Sequence, residues 1–235
     1  MQRDRLRDLR RFYSVLDLLG QTLDGPRILS ACSGRMNWPF RGVYFFHEPE
    51  ENRAESGAGL RVVRVGTHAL KGGSKSTLWQ RLSQHKGESK SGGGNHRGSI
   101  FRLLVGTALI AKNNLICPTW GQGSSAPRDT RDAERQLENL VSAQIGTMPF
   151  LWLAVMDEPG PTSLRGYVER NSIALLSKFN KTPVDPPSTD WLGHYCLRDK
   201  VRNSGLWNQN HVDEDYDPKF LDTLASLVVA MKGLA

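Results

Sequence analysis

Apolar residues at spacings of three and four open the chain: Leu6, Leu9, Tyr13 and Leu16 place one stripe on a helix over residues 3–19. Gly20, then Gly25-Pro26, end it. The period then changes. Arg41–Phe46 (RGVYFF) and Leu60–Val65 (LRVVRV) are β-branched and aromatic and read as two strands, separated by a polar loop over 47–59 that is long for a hairpin. Ser76 or Thr77 caps a helix running to about His85, with Leu78 and Leu82 inward. Residues 86–98 (KGESKSGGGNHRG) form a basic, glycine-rich loop. Ser99–Ile110 reads as a helix, although its apolar run also suits a buried strand. Asp132–Ile145 has an acidic first turn, Leu137, Leu140, Val141 and Ile145 on one face, and Gly146 as its stop. Pro149–Val155 is a buried strand and Ser163–Phe179 a helix. Asp217-Pro218 opens the last helix, whose stripe is Phe220, Leu224, Leu227 and Met231.

Two early strands and one much later predict an α+β or mixed α/β domain: a small, mostly antiparallel sheet of three strands or slightly more, flanked by helices. The expected division is an N-terminal helix and lead-in over 1–40, a core over 41–180 with a helical insertion at 86–148, and an extension over 181–235 packing on the core.

Composition narrows the class. Of the 235 residues 38% are apolar, with six tryptophans and eight phenylalanines, enough for a packed core. Lys and Arg outnumber Asp and Glu by 31 to 24, a net charge of +7. Such an excess suits a polyanion, because bound Lys and Arg release phosphate counterions, although ordinary surface variation produces the same number. Cys32, Cys117 and Cys196 are far apart and odd in number, which favours a reducing compartment over a disulfide framework or zinc site. Asp4 and Asp8 in the arginine-rich start argue against a presequence, and no run approaches the ~20 apolar residues of a membrane span. The expectation is a cytoplasmic protein.

Three positions are unusual for a fold alone. Tyr44 sits inside an apolar strand, where its hydroxyl needs a partner; most such tyrosines are satisfied core residues. Arg81 and His85 share a helix face at i, i+4, close to the inward leucines; such pairs are commonly a solvated edge. Glu169 interrupts the apolar stripe of its helix, one turn before Ile173, and is costly to bury unless a cation or donors meet it.

Taken together these residues resemble the GIY-YIG nuclease family. Its first motif reads here as Gly42-Val43-Tyr44 and its second as Arg64-Val65-Gly66. Its helix with Arg followed four residues later by His or Tyr reads as Arg81 and His85 in LWQRLSQH. Its metal-binding glutamate reads as Glu169 in GYVERNSIALLSKF. The resemblance covers residues 41–85 and 149–180. It implies an endonuclease hydrolysing phosphodiester bonds in DNA, with Glu169 and waters holding Mg²⁺, or Mn²⁺ in its place. Tyr44 would then be the general base, Arg81 a phosphate contact, and His85 a group orienting the phosphate or the nucleophile. A phenol of ordinary pKa ~10 serves as a base only when nearby cations favour its phenolate. Arg64 departs from the family, which has tyrosine there. A guanidinium cannot be a base, but it can stabilise a phenolate or bind phosphate, and a cation at this place resembles some restriction enzymes of the group. The resemblance extends to a setting in restriction or anti-phage defence, with a homodimer or a defence-system partner protein.

Further nucleic-acid contacts are expected from His68 and Lys71 just past Gly66, from Lys86, Lys90, His96 and Arg97 in the glycine-rich loop, and from Asn180, the nearest match to the family's asparagine. A solvated linker explains that loop equally well. Gly72–Thr77 (GGSKST) lacks the spacing of a P-loop, and the acidic run Asp213, Glu214, Asp215 and Asp217 reads as a solvated turn. The other function classes are a catalytically silent DNA-binding relative, for which Arg64 speaks, and an interaction subunit.

Overall fold

Side chains alternate across two central strands, and that alternation sets the layering. In the computed structural model, which describes residues 2–88 and 93–232, β2 (Gly42–Asn52) lies between β3 (Leu60–Gly66) and β4 (Pro149–Ala154), and a two-residue β1 (Arg27–Ile28) pairs with β4. The order is β1-β4-β2-β3, antiparallel throughout. The α+β expectation therefore holds, with one short strand more than three. No helix among the described residues is long and apolar enough to cross a membrane.

Residues directly opposite in antiparallel strands share a face. Tyr44 stands opposite Gly66 and Trp152, and Phe46 opposite Arg64 and Phe150. This face is covered by α2 (Leu78–Lys86) and α3 (Ile100–Asn113), where Phe46 meets Phe101 with 5.5 Å between ring centroids. Val43, Phe45, Val63, Val65, Leu151 and Leu153 point the other way, all buried. There Phe12 of α1 (Gln2–Thr22) packs on Phe45 and on Phe220 of α7 (Phe220–Lys232), and α5 (Leu164–Leu176) lies against β3.

The polar loop expected over 47–59 is strand as far as Asn52. β2 runs to Asn52 with register shifts after Phe46 and after His47, and the connection is closed by Arg53 N–H donating to Gly59 at 2.9 Å. Polar residues 48 and 51 disguise this stretch because their partners lie far along the chain. Glu48 accepts from the indoles of Trp191 (3.0 Å) and Trp207 (3.1 Å), and Glu51 from the Arg61 guanidinium (2.7 Å). α4 (Arg128–Gly146) begins four residues before the expected start, directly after Pro127. Its buried stripe takes in Glu134 and Glu138 and leaves Leu140 exposed. α7 begins three residues after Asp217, whose carboxylate instead accepts from Lys219 N–H at 3.0 Å in the turn before it.

The extension braces the sheet. Trp207 N–H donates to Val63 O at 2.7 Å, and the Asn208 amide both accepts from Val65 N–H (3.2 Å) and donates to Val65 O (2.8 Å). A side-chain amide thus pairs with the outer strand as a backbone would. α6 (Asp199–Ser204), not expected from sequence, leads into this segment.

Candidate active site

Local chemistry explains how each side chain is presented. Gly66 ends β3 opposite Tyr44, and a Cβ there would run into the tyrosine ring and hydroxyl. Only glycine lets the ring cross the strand at that point. The next residue, Thr67, donates its hydroxyl to Gly42 O at 2.8 Å and its N–H to Glu169 Oε1 at 3.1 Å. The phenol and the carboxylate therefore flank one stretch of backbone, although their residues are 125 positions apart in sequence.

Tyr44 and His85 are both fully buried. The phenol oxygen lies 2.8 Å from His85 Nε2, and His85 Nδ1 lies 2.7 Å from Ser99 Oγ. α2 holds the imidazole there through a capping box: Thr77 Oγ1 accepts from Gln80 N–H, and Gln80 Oε1 from Thr77 N–H. Ser99, as N-cap of α3, joins the second helix to the same network. Burial foremost, then Arg81, Arg64 and Arg102, drives the His85 pKa well below its ordinary value, so the ring is neutral.

Arg64 lies with its guanidinium beside the phenol and over the Phe101 ring (4.8 Å), one nitrogen donating to Trp207 O. Its Nε is buried without a hydrogen-bond partner among the described residues. Such an orphaned cationic donor favours an anion nearby. Arg81 is half-buried at the rim and donates to Gln84 Oε1 (2.9 Å) and Gly98 O (3.0 Å). Glu169 is half-buried on α5; burial is the main cause raising its pKa, and Arg64, His211, the Thr67 N–H and Arg81 pull it back. Glu169 lines a cleft of about 410 Å³ with Leu70, Tyr167, Arg170 and His211.

The chain thus brings Tyr44, Arg64, Arg81, His85 and Glu169 together. His68 joins them: buried, and with its pKa lowered to about 4, by burial first and Arg165 next. The fully buried Arg165 donates to His68 O at 2.8 Å and to Ala69 O at 3.3 Å, holding the turn after β3, where Ala69 has φ 53°. Lys71 is exposed on that turn.

The remaining expected contacts are occupied elsewhere. Lys90 lies outside the described residues. Lys86 donates to Cys32 O. His96 is buried, its Nδ1–H donating to Glu138 at 2.9 Å and its Nε2 accepting from Gly121 N–H at 3.1 Å. Arg97 is locked by two bonds to Glu134, at 2.6 and 2.8 Å. His96 and Arg97 thus clasp the described end of the loop onto α4, and Lys86, His96 and Arg97 are each satisfied inside the protein. Exposed cations lie instead on α4: Arg128, Arg131 and Arg135 line a cleft of about 790 Å³, which Gln84 and Gly98 join to Arg81. Asn180 is exposed in a left-handed turn (φ 52°) beyond the end of α5; the asparagines buried near the site are Asn171, on the helix of Glu169, and Asn208. No sequence signal distinguished Asn208 or His211 within the tail.

The buried histidines make stability pH-dependent. His47, on β2, has its pKa lowered to about 4, with burial the main cause. An unfolded histidine titrates near 6.5, so between pH 6.5 and 4 the unfolded state binds more protons, and stability is lost as pH falls through that window. Up to about 3 kcal/mol is at stake for His47. Raised carboxyls such as Glu48 act in the opposite sense. In urea melts at pH 7.5 and 5.0, His47→Gln should therefore lose less stability on acidification than wild type; equal losses would refute a neutral, half-buried His47.

A family profile described as a GIY-YIG domain matches residues 3–233. It takes in the first helix, the region between α2 and β4, and the tail, all beyond the stretches that carry the sequence motifs. No curated protein and no solved structure matches the chain.

Proposed function

This chain belongs to the GIY-YIG domain family, and from that membership and the site geometry we propose that it is a Mg²⁺-dependent endonuclease hydrolysing phosphodiester bonds in DNA. The carrying observation is that the Tyr44 phenol and the Glu169 carboxylate flank the Gly66-Thr67 backbone, with the Arg64 guanidinium close to both. Cleaving a phosphodiester requires water activation and charge neutralisation, and this arrangement offers a group for each. Restriction or anti-phage defence is the proposed setting, supported by the resemblance of Arg64 to the cation in some restriction enzymes of the family.

The donor set fits a hard divalent ion. Glu169 uses Oε1 for Thr67 and has no hydrogen-bond partner for Oε2 among the described residues, and its cleft has room for waters. No group of three or more metal-ligating side chains is present among the described residues. Waters and substrate oxygens would therefore supply most of the shell, as Mg²⁺ accepts readily and Mn²⁺ also allows. When bound, the ion supplies charge neutralisation at the phosphate and the leaving oxygen.

The chain's own groups do the rest. Tyr44 takes the proton of the attacking water, and Arg64 stabilises the phenolate that this requires. Neutral His85 is a positioning residue: it accepts from the phenol through Nε2, or, with its proton moved to Nε2 and Ser99 donating to Nδ1, it donates to the phenolate. Arg81 binds a non-bridging phosphate oxygen. Because the phenol is buried in the free protein, substrate reaches it only after a local rearrangement. That same burial favours the second reading, a DNA-binding protein without catalysis.

A plasmid assay separates the two. Wild-type protein with Mg²⁺ should nick or linearise supercoiled DNA; EDTA and Glu169→Gln should each abolish cutting. Equal cutting by wild type and variant would place the activity outside this site, and binding without cutting would favour the silent relative.

A further inference from the structure

Glu169 shares its cleft with a histidine that no motif contains. His211 lines the same 410 Å³ space, and its positive charge would act directly on the Glu169 carboxyl. Its Nδ1–H donates to Glu214 Oε1 at 2.7 Å, which fixes the tautomer and leaves the Nε2 lone pair without a partner among the described residues. A carboxylate behind an imidazole is the usual support of a metal-binding histidine, because it orients the ring and makes the free nitrogen a better donor.

The backbone is held for this arrangement. His211 has φ 63°, in the left-handed region that few residues other than glycine adopt. The segment that follows is fastened to α5, the helix of Glu169, at three points. Arg170 pairs with Glu214 at 3.7 Å, the Tyr167 hydroxyl donates to Asp217 at 2.8 Å, and the Asn171 side chain accepts from Asp217 N–H at 2.7 Å.

We propose that His211 is a second protein ligand of the cation site built on Glu169, so that the cleft holds a divalent ion through one carboxylate oxygen and one imidazole nitrogen. The inference rests on the reading of Glu169 as the metal-holding residue. Its chemical consequence is selectivity. An all-oxygen site suits Mg²⁺, whereas an imidazole raises affinity for borderline ions such as Co²⁺.

The test is Co²⁺ binding to full-length protein without DNA, followed by visible absorption and calorimetry, with Mg²⁺ titrated in parallel. His211→Asn is the informative variant, because asparagine tolerates the left-handed backbone while removing the imidazole; an unchanged melting temperature checks the fold. Co²⁺ affinity should fall roughly 10- to 100-fold with a changed absorption spectrum, while Mg²⁺ affinity moves much less. Glu169→Gln should weaken both ions. Wild-type affinity and spectrum in His211→Asn would overturn the proposal. If cutting requires Glu169 but Co²⁺ binding ignores His211, the inference fails and the nuclease reading stands. If Co²⁺ binding requires both residues and no DNA is cut, the cation site stands without the nuclease.

Discussion

Tyr44→Phe should leave the fold intact and lower the single-turnover rate of DNA cutting by about 10²- to 10⁴-fold, the usual worth of a positioned acid or base. The ring itself is held by contacts that phenylalanine keeps: Phe46 at 5.6 Å and His85 at 5.4 Å between centroids, with Gly66 beneath. What disappears is one oxygen and its 2.8 Å hydrogen bond to His85 Nε2. Leaving that buried nitrogen unpaired costs about 1–3 kcal/mol of stability, visible as a modest fall in melting temperature. Divalent-ion affinity should be unchanged, since the phenol is not among the proposed ligands. A variant that cuts at the wild-type rate would remove Tyr44 from the chemistry.

Arg102→Met should be the most destabilising single change outside the site, costing about 3–5 kcal/mol because it strands a buried charge. Arg102 is fully buried and donates to Glu138 Oε2 (2.9 Å), Glu138 O (2.8 Å) and His85 O (2.9 Å). Gly94 wraps so tightly around the guanidinium that a Cβ there would strike it. Without the arginine, Glu138 keeps only His96 as a side-chain partner. Against a typical total of 5–15 kcal/mol, that loss removes a large share of the folding free energy. Urea unfolding measures it, and Arg102→Met with Glu138→Leu should recover part by removing the stranded charge. A loss under about 1 kcal/mol in the single variant would show that Glu138 finds other solvation.

These two residues also mark what was legible in the sequence. Tyr44, Arg81, His85 and Glu169 were noticed because each breaks a local rule, either a polar group in an apolar strand or a carboxylate in an apolar stripe. The strands and most helices followed from periodicity, since β2, β3 and β4 carry their apolar residues in continuous local runs. What escaped was polar burial. His96, Arg97, Arg102, Glu134 and Glu138 form one interior network whose members are up to 42 residues apart. Viewed one at a time, each resembles a solvated surface residue, so the sequence does not separate His96 and Arg97 from substrate contacts. Glu48 and Glu51 hid the second half of β2 in the same way. Asn208 and His211 gave no signal at all, because their meaning depends on where the tail docks.

The docking of that tail decides how the sheet meets other molecules. An outer strand normally offers a row of free amides and carbonyls on which a foreign strand can grow. Here the Trp207 amide and the Asn208 side chain already occupy the outward groups of Val63 and Val65, and at the opposite margin β1 is only two residues long. Strand addition is therefore blocked at Val63 and Val65 on the β3 margin, while at the other margin β1 covers only Pro149 and Phe150 of β4.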